Sequence, residues 1–145
     1  MGNENPFVGT WQLIAWENTE ADGTVTYPYG QQPVGFLIYT HDGHMAVEIM
    51  DPNRRQHDTR LPVEPAFAQT LSDDDRLSAY NTYLSYCGTY SYSIAEGRMI
   101  HHVKAGLIPS WTGSDQPRNF EFRDGQLLLG GGRVWLTWGR VVPHV

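Results

Sequence analysis

Apolar and polar side chains alternate with a period of two along most of this chain, and Gly, Asp and Pro interrupt the alternation at short intervals. Trp11, Leu13 and Ala15 alternate with Gln12, Ile14 and Trp16, which predicts a first strand with both faces partly apolar. Asp22-Gly23 predicts a turn, and Thr24 to Gly30 a short β-rich segment punctuated by Pro28 and Gly30. Two apolar runs, Gly35 to Thr40 and His44 to Met50, flank His41-Asp42-Gly43, the strongest short-range signal of a hairpin. From Asp51 to Leu71 the pattern dissolves into a polar loop with several prolines, expected to cross an open end of the structure. Ser72 then caps a predicted helix near residues 72–86: Asp73, Asp74 and Asp75 suit the positive end of its dipole, and Leu77, Tyr80 and Leu84 recur at helical spacing before Gly88.

The rest of the chain returns to strands. Thr89 to Ile94, Met99 to Ala105, Arg118 to Arg123, Gln126 to Leu129 and Val134 to Val141 alternate, with turns at Glu96-Gly97, Asp124-Gly125 and Gly130-Gly131-Gly132 and a loop through Pro109, Gly113 and Pro117. About eight short strands joined by Gly/Asp turns, with one inserted helix, describe an all-β fold: an antiparallel up-and-down barrel in one domain over residues 1–145.

Strand parity then separates interior from exterior, because alternate side chains share a face. Arg118 shares its face with Phe120 and Phe122, so an arginine is carried inward with two phenylalanines. His101 falls on the inward set with Met99, Val103 and Ala105, and His102 on the outward set with Arg98, Ile100 and Lys104. Tyr90, Tyr92 and Ile94 are expected inside, as are Val134, Leu136, Trp138 and Arg140 of the last strand beside Trp11 and Leu13 of the first. Trp16 and Trp135 fall on the outward parity, which suggests a covered surface and a possible homodimer.

Composition narrows the function classes. A chain of 145 residues without a Pro/Gly/Ser-rich divide reads as one domain that needs no disulfide or structural metal, and its single Cys87, beside Gly88, reads as a small buried hydrophobe. The N-terminal MGNENPF has no basic or apolar leader pattern and no apolar run is long enough for a bilayer, so the expectation is a cytoplasmic protein with no membrane partner. A net charge of −6 with scattered Lys and Arg argues against nucleic acid. Five Trp, eight Tyr and five Phe must line a core, a pocket or an interface.

Gly9-x-Trp11 at the start of the first strand, with Trp138-x-Arg140 near the end of the last, resembles the lipocalins, where such a Trp packs under an arginine of the closing strand in a cation-π contact. With Pro33-x-Gly35, Asp42-Gly43-x-Met45, Tyr86-Cys87-Gly88-x-Tyr90, His101, and Pro109-x-Trp111-x-Gly113 leading to Gln116 and Arg118, nearly the whole chain is similar in order to the bacterial and fungal lipocalin-like domain family. The resemblance implies a calycin-type barrel with a helix inserted midway, a fold that serves carriers and enzymes alike, with cyclases or isomerases of secondary metabolism among the suspected activities.

An interior of Tyr, His, Arg, Phe and Trp, rather than Val, Ile and Leu, points to a cavity with a few placed polar groups. The first reading is binding of a small hydrophobic or aromatic molecule with a carbonyl or anionic oxygen, by Tyr39, Tyr90, Tyr92, His101, Trp111, Arg118, Phe120 and Phe122. The second is a cofactor-free isomerase, cyclase or lyase, in which His101 shuttles a proton and Arg118 stabilises an oxyanion. The third is an interaction domain with a filled core. Trp11, Trp138 and Arg140 are structural in all three. His41-x-x-His44 has metal-ligand spacing but no third ligand, and Asp-Gly between the two histidines is explained by turn geometry, so no metal and no cofactor is expected.

Overall fold

The computed structural model describes residues 4–55 and 70–143. Its strands are β1 (Gly9–Thr19), β2 (Val25–Thr26), β3 (Val34–Tyr39), β4 (His44–Met50), β5 (Tyr83–Ser93), β6 (Arg98–Gly106), β7 (Asp115–Arg123), β8 (Gln126–Gly131) and β9 (Val134–Arg140). Helix α1 (Asp73–Asn81) precedes β5, and a 3₁₀ turn (Pro109–Trp111) joins β6 to β7. Each strand from β3 onward pairs antiparallel with the next, β3 also pairs with β1, and β9 returns to β1. The result is a closed eight-stranded barrel, with β2 as a short addition at the far end of β1. Closure leaves the barrel strands no free edge.

The predicted hairpin forms as expected, with Tyr39 opposite Met45 and Gly43 at φ +90° in the turn. Helix α1 starts where predicted, its Ser72 hydroxyl accepting from the Asp75 amide at 3.1 Å. It stops five residues short of the expected end. Residues from Tyr83 onward alternate as a strand opposite Met50 to His44, and the Tyr83 and Ser85 side chains both donate to Glu48 across the pair. Pairing with β4 outweighs the helical spacing that Leu84 supplied.

Local irregularities correct other expectations. Between Leu13 and Ala15 the register of β1 against β9 slips, so Ile14 is the extra residue and the parity reverses. Trp16 therefore faces inward, opposite Leu136, and not outward as alternation alone implied. A second slip, in which Lys104 is the extra residue opposite Cys87/Gly88, leaves Ala105 exposed, and Cys87 is exposed by the alternation of β5 itself, between inward Tyr86 and Gly88; both were expected inside. Tyr92 and Ile94 are also exposed, the first near the strand end and the second in the following turn. Pro117, assigned to a loop, lies within β7 opposite Ile100. Most of the loop expected over residues 51–71 falls on 56–69, outside the described residues.

One end of the barrel is packed solid. Phe7 is fully buried and its ring meets those of Tyr39, Tyr92, Phe120 and Phe122 at centroid distances of 4.8–5.8 Å. Burying such a side chain contributes about 2–3 kcal/mol. Three hydrogen bonds hold the segment that carries it: Trp11 Nε1 donates to the Phe7 carbonyl at 2.9 Å, and Arg140 donates to the Val8 and Pro6 carbonyls at 2.8 Å each. Arg140 also lies over the Trp11 ring, 4.2 Å from its centre, the contact that the Gly-x-Trp resemblance implied. Gly9 makes room for it: at φ +134°, a Cβ there would stand 2.8 Å from Arg140 Nη1.

Candidate functional site

Among the described residues, the other half of the barrel encloses a cavity. Every strand that feeds the plug also reaches the cavity: β1 gives Trp11 to one and Trp16 to the other, β3 gives Tyr39 and Leu37, and β7 gives Phe120 and Arg118. The cavity measures about 320 Å³ and is walled mainly by Leu37, Val47, Ile49, Leu84, Leu129 and Leu136, with Trp16 and Trp138 adding indole surface. That size lies at the lower end of small-molecule pockets, about 300–1,000 Å³. Among the described residues, Tyr86, His101 and Arg118 bring polar side chains to its lining, beside the two indoles.

His101 is 2% exposed, and both its ring nitrogens are engaged. The Tyr39 hydroxyl is 2.7 Å from Nε2 and the Tyr86 hydroxyl 2.6 Å from Nδ1. This places the imidazole at the boundary between plug and cavity, with Tyr39 behind it among Phe7 and Tyr90 and Tyr86 in front on the cavity wall. Burial, then the positive charge of Arg118, then His102, push the His101 pKa down to about 3. The ring is neutral at physiological pH. Burial likewise raises the Tyr39 and Tyr86 phenols, against the opposing charge of Arg118 and, at Tyr86, a hydrogen bond from the Arg118 guanidinium, so both remain protonated.

Arg118 is half-buried on the wall, donates to its neighbouring Pro117 carbonyl at 2.9 Å, and takes part in no ion pair among the described residues. Among the described residues no carboxylate lines the cavity, and Arg118 is the one formal charge on the wall they form. Two further donors, the indole N–H groups of Trp16 and Trp138, are buried on the same wall and unpaired among the described residues.

Of the residues expected to contact a ligand, His101 and Arg118 line this cavity together. Tyr39 supports His101 from behind. Tyr90, Tyr92, Phe120 and Phe122 belong to the plug around Phe7, because the barrel's inward face is shared between a filled and a hollow half that parity cannot distinguish. Trp111 packs edge-on against Tyr86 at 5.9 Å from the 3₁₀ turn, outside the cavity wall. Trp138, read as structural, is buried and also lines the cavity.

Tyr86 and Trp16 were missed. The helix expected through residue 86 hid the alternation Leu84, Tyr86, Gly88, Tyr90, which gives Tyr86 the same inward parity as Tyr90. No sequence signal marked the bulge that turns Trp16 inward. Outside the barrel, His102 pairs with Asp115 at 2.7 Å, and His44 pairs with Asp42 at 3.0 Å beside the hairpin turn.

The family model for the lipocalin-like domain matches residues 8–139, from the strand that carries Gly9-x-Trp11 to the one that closes on it. The chain is a member of the lipocalin-like domain family. Among curated proteins none matches it. A solved structure similar to this lipocalin-like chain is that of an asparagine-to-glutamine variant of the fluorescent protein UnaG. The two are 17% identical, with 92% of this chain and 95% of the other covered at a TM-score of 0.36, a likeness too distant to carry an argument about the site. The family and the closed barrel are compatible with ligand binding in general, and no helix among the described residues is long and apolar enough to cross a membrane.

Proposed function

We propose that this barrel binds a small, largely apolar molecule whose one oxygen-bearing group faces Arg118, Tyr86 and His101. The observation that carries the reading is the cavity itself: about 320 Å³ with an apolar wall and a cluster of donors at one side. A domain whose interior served only packing would fill that half as it fills the half around Phe7. The aliphatic wall supplies affinity through burial of apolar surface, and the polar cluster supplies orientation.

Binding is favoured over proton-transfer catalysis by the state of His101. A general acid or base needs a ring nitrogen within reach of the substrate and a pKa near the working pH. Both nitrogens are occupied by tyrosines, and the pKa lies near 3. His101 is thus a positioning residue in this reading.

Titration of octanoate into the protein, followed by calorimetry, tests the proposal. Saturable one-to-one binding is expected, weakened about 10-fold or more by Arg118→Ala, in line with loss of a charge-assisted hydrogen bond. Absence of binding, or equal binding by the variant, contradicts it.

A further inference from the structure

The proton count at His101 goes further than the binding reading on which it rests. Tyr39, neutral His101 and Tyr86 carry three mobile protons and make two mutual hydrogen bonds. One proton is left over, and it belongs to one of the two phenols. If His101 carries its proton on Nε2, Tyr86 donates to Nδ1, Tyr39 accepts, and the spare O–H is on Tyr39. If the proton is on Nδ1, Tyr39 donates to Nε2, Tyr86 accepts, and the spare O–H is on Tyr86.

The surroundings decide between these states. Tyr39 is 1% exposed and its hydroxyl has no partner other than His101 among the described residues. Around it lie the rings of Phe7 and Tyr90, which offer only weak π acceptance. The Tyr90 hydroxyl is already committed, donating to the Thr40 carbonyl at 2.9 Å and accepting from Asn5 at 2.8 Å. A spare donor on Tyr39 would be buried unmet, an arrangement that folded proteins avoid. On Tyr86 the spare donor faces the cavity, where an occupant can accept it. Arg118 cannot take that proton, since a guanidinium only donates.

We infer that Tyr39 fixes His101 as the Nδ1–H tautomer, that His101 thereby makes the Tyr86 hydroxyl a donor into the cavity, and that Tyr86 with Arg118 selects a carboxylate on an otherwise apolar ligand. A carboxylate offers acceptors to both donors and neutralises a guanidinium that takes part in no ion pair among the described residues. A ketone of the same length satisfies the donors but leaves the charge unmatched. The unpaired Trp16 and Trp138 N–H groups on the same wall add to the surplus of donors over acceptors.

Two measurements on the full chain test this. In protein carrying nitrogen-15 histidine, long-range proton–nitrogen correlation reads the tautomer of His101 without any ligand; Nδ1 protonated and Nε2 unprotonated is expected. Calorimetric titration then compares octanoate with 2-octanone in the wild type and in Tyr86→Phe. Octanoate is expected to bind about 10-fold or more tightly than the ketone, and Tyr86→Phe to weaken octanoate about 10-fold, as loss of a hydrogen bond to a charged acceptor does. An Nε2–H tautomer overturns the inference and leaves the binding reading intact. Equal affinity for acid and ketone, or unchanged octanoate affinity in Tyr86→Phe, overturns the carboxylate claim. Failure of both ligands to bind while the Nδ1–H tautomer is present contradicts the binding reading instead, and the carboxylate claim falls with it.

Discussion

The Tyr86 hydroxyl stands 2.6 Å from His101 Nδ1, so a buried imidazole is held on its cavity side by a phenol that cannot balance a positive charge. The consequence is a pH dependence with a definite sign. His101 titrates near 3 in the folded chain and near 6.5 unfolded, so between these values the unfolded state binds the extra proton. The contribution of neutral His101 to stability is complete above pH 6.5 and is lost as pH falls toward 3, at about 1.4 kcal/mol per pH unit, on the order of 4–5 kcal/mol in all. Denaturant unfolding of wild type and His101→Gln at pH 7, 6, 5 and 4 checks this: the wild type should lose its advantage over the variant as pH falls. A constant difference across the series would show that His101 titrates alike in the folded and unfolded chain.

Arg140 links the two chain ends through Trp11, Val8 and Pro6. Arg140→Ala removes a cation-π contact and two hydrogen bonds, and should cost about 1–3 kcal/mol. A double-mutant cycle with Trp11→Phe isolates the ring contact, with an expected coupling of about 0.5–1 kcal/mol. Zero coupling would mean that Arg140 acts only through the backbone carbonyls.

Cavity volume can be removed without touching the polar cluster. Ile49 lies on the cavity wall, 3% exposed, and its replacement by Phe places added ring volume in the hollow. Ile49→Phe should therefore reduce octanoate affinity about 10-fold or more while the melting temperature stays level or rises. A marked drop in melting temperature would show that the added ring clashes with close-packed side chains.

Trp16 and Trp138 line the cavity, whereas Trp135 shares the outward face of β9 with Thr137. An occupant should shift the tryptophan emission in wild type and equally in Trp135→Phe, and the shift should shrink in Trp16→Phe. Retention of the full shift in Trp16→Phe would remove Trp16 from the ligand's surroundings.

The barrel was legible in the sequence because each strand keeps its alternation and each hairpin its Gly or Asp turn, and His101 and Arg118 could be placed inside by parity alone. What alternation cannot carry is a change of phase. The slip at Leu13/Ala15 turns Trp16 inward and the one opposite Cys87/Gly88 leaves Ala105 outside, and both depend on cross-strand register rather than on local composition. At Gly88 the reason is visible only in three dimensions: a Cβ there would stand 1.9 Å from the His102 carbonyl oxygen. Nor does periodicity say how far along a barrel the filled part extends. Phe7, outside the first strand, sets that limit by occupying the space among Tyr39, Tyr92, Phe120 and Phe122, so five aromatic residues expected on a ligand, Tyr90 included, are partners of a plug or of His101.

The most direct test of the account is the location of a bound probe. With the methyl groups of the protein labelled and octanoate added, intermolecular nuclear Overhauser effects report which methyls lie beside the chain of the ligand. Contacts to Val47, Ile49 and Leu136 on the cavity wall are predicted, with none to Ile14 or Ile38 on the outer face. Contacts confined to Ile14 and Ile38, with the interior methyls silent, would contradict the claim that this barrel holds its ligand beside His101.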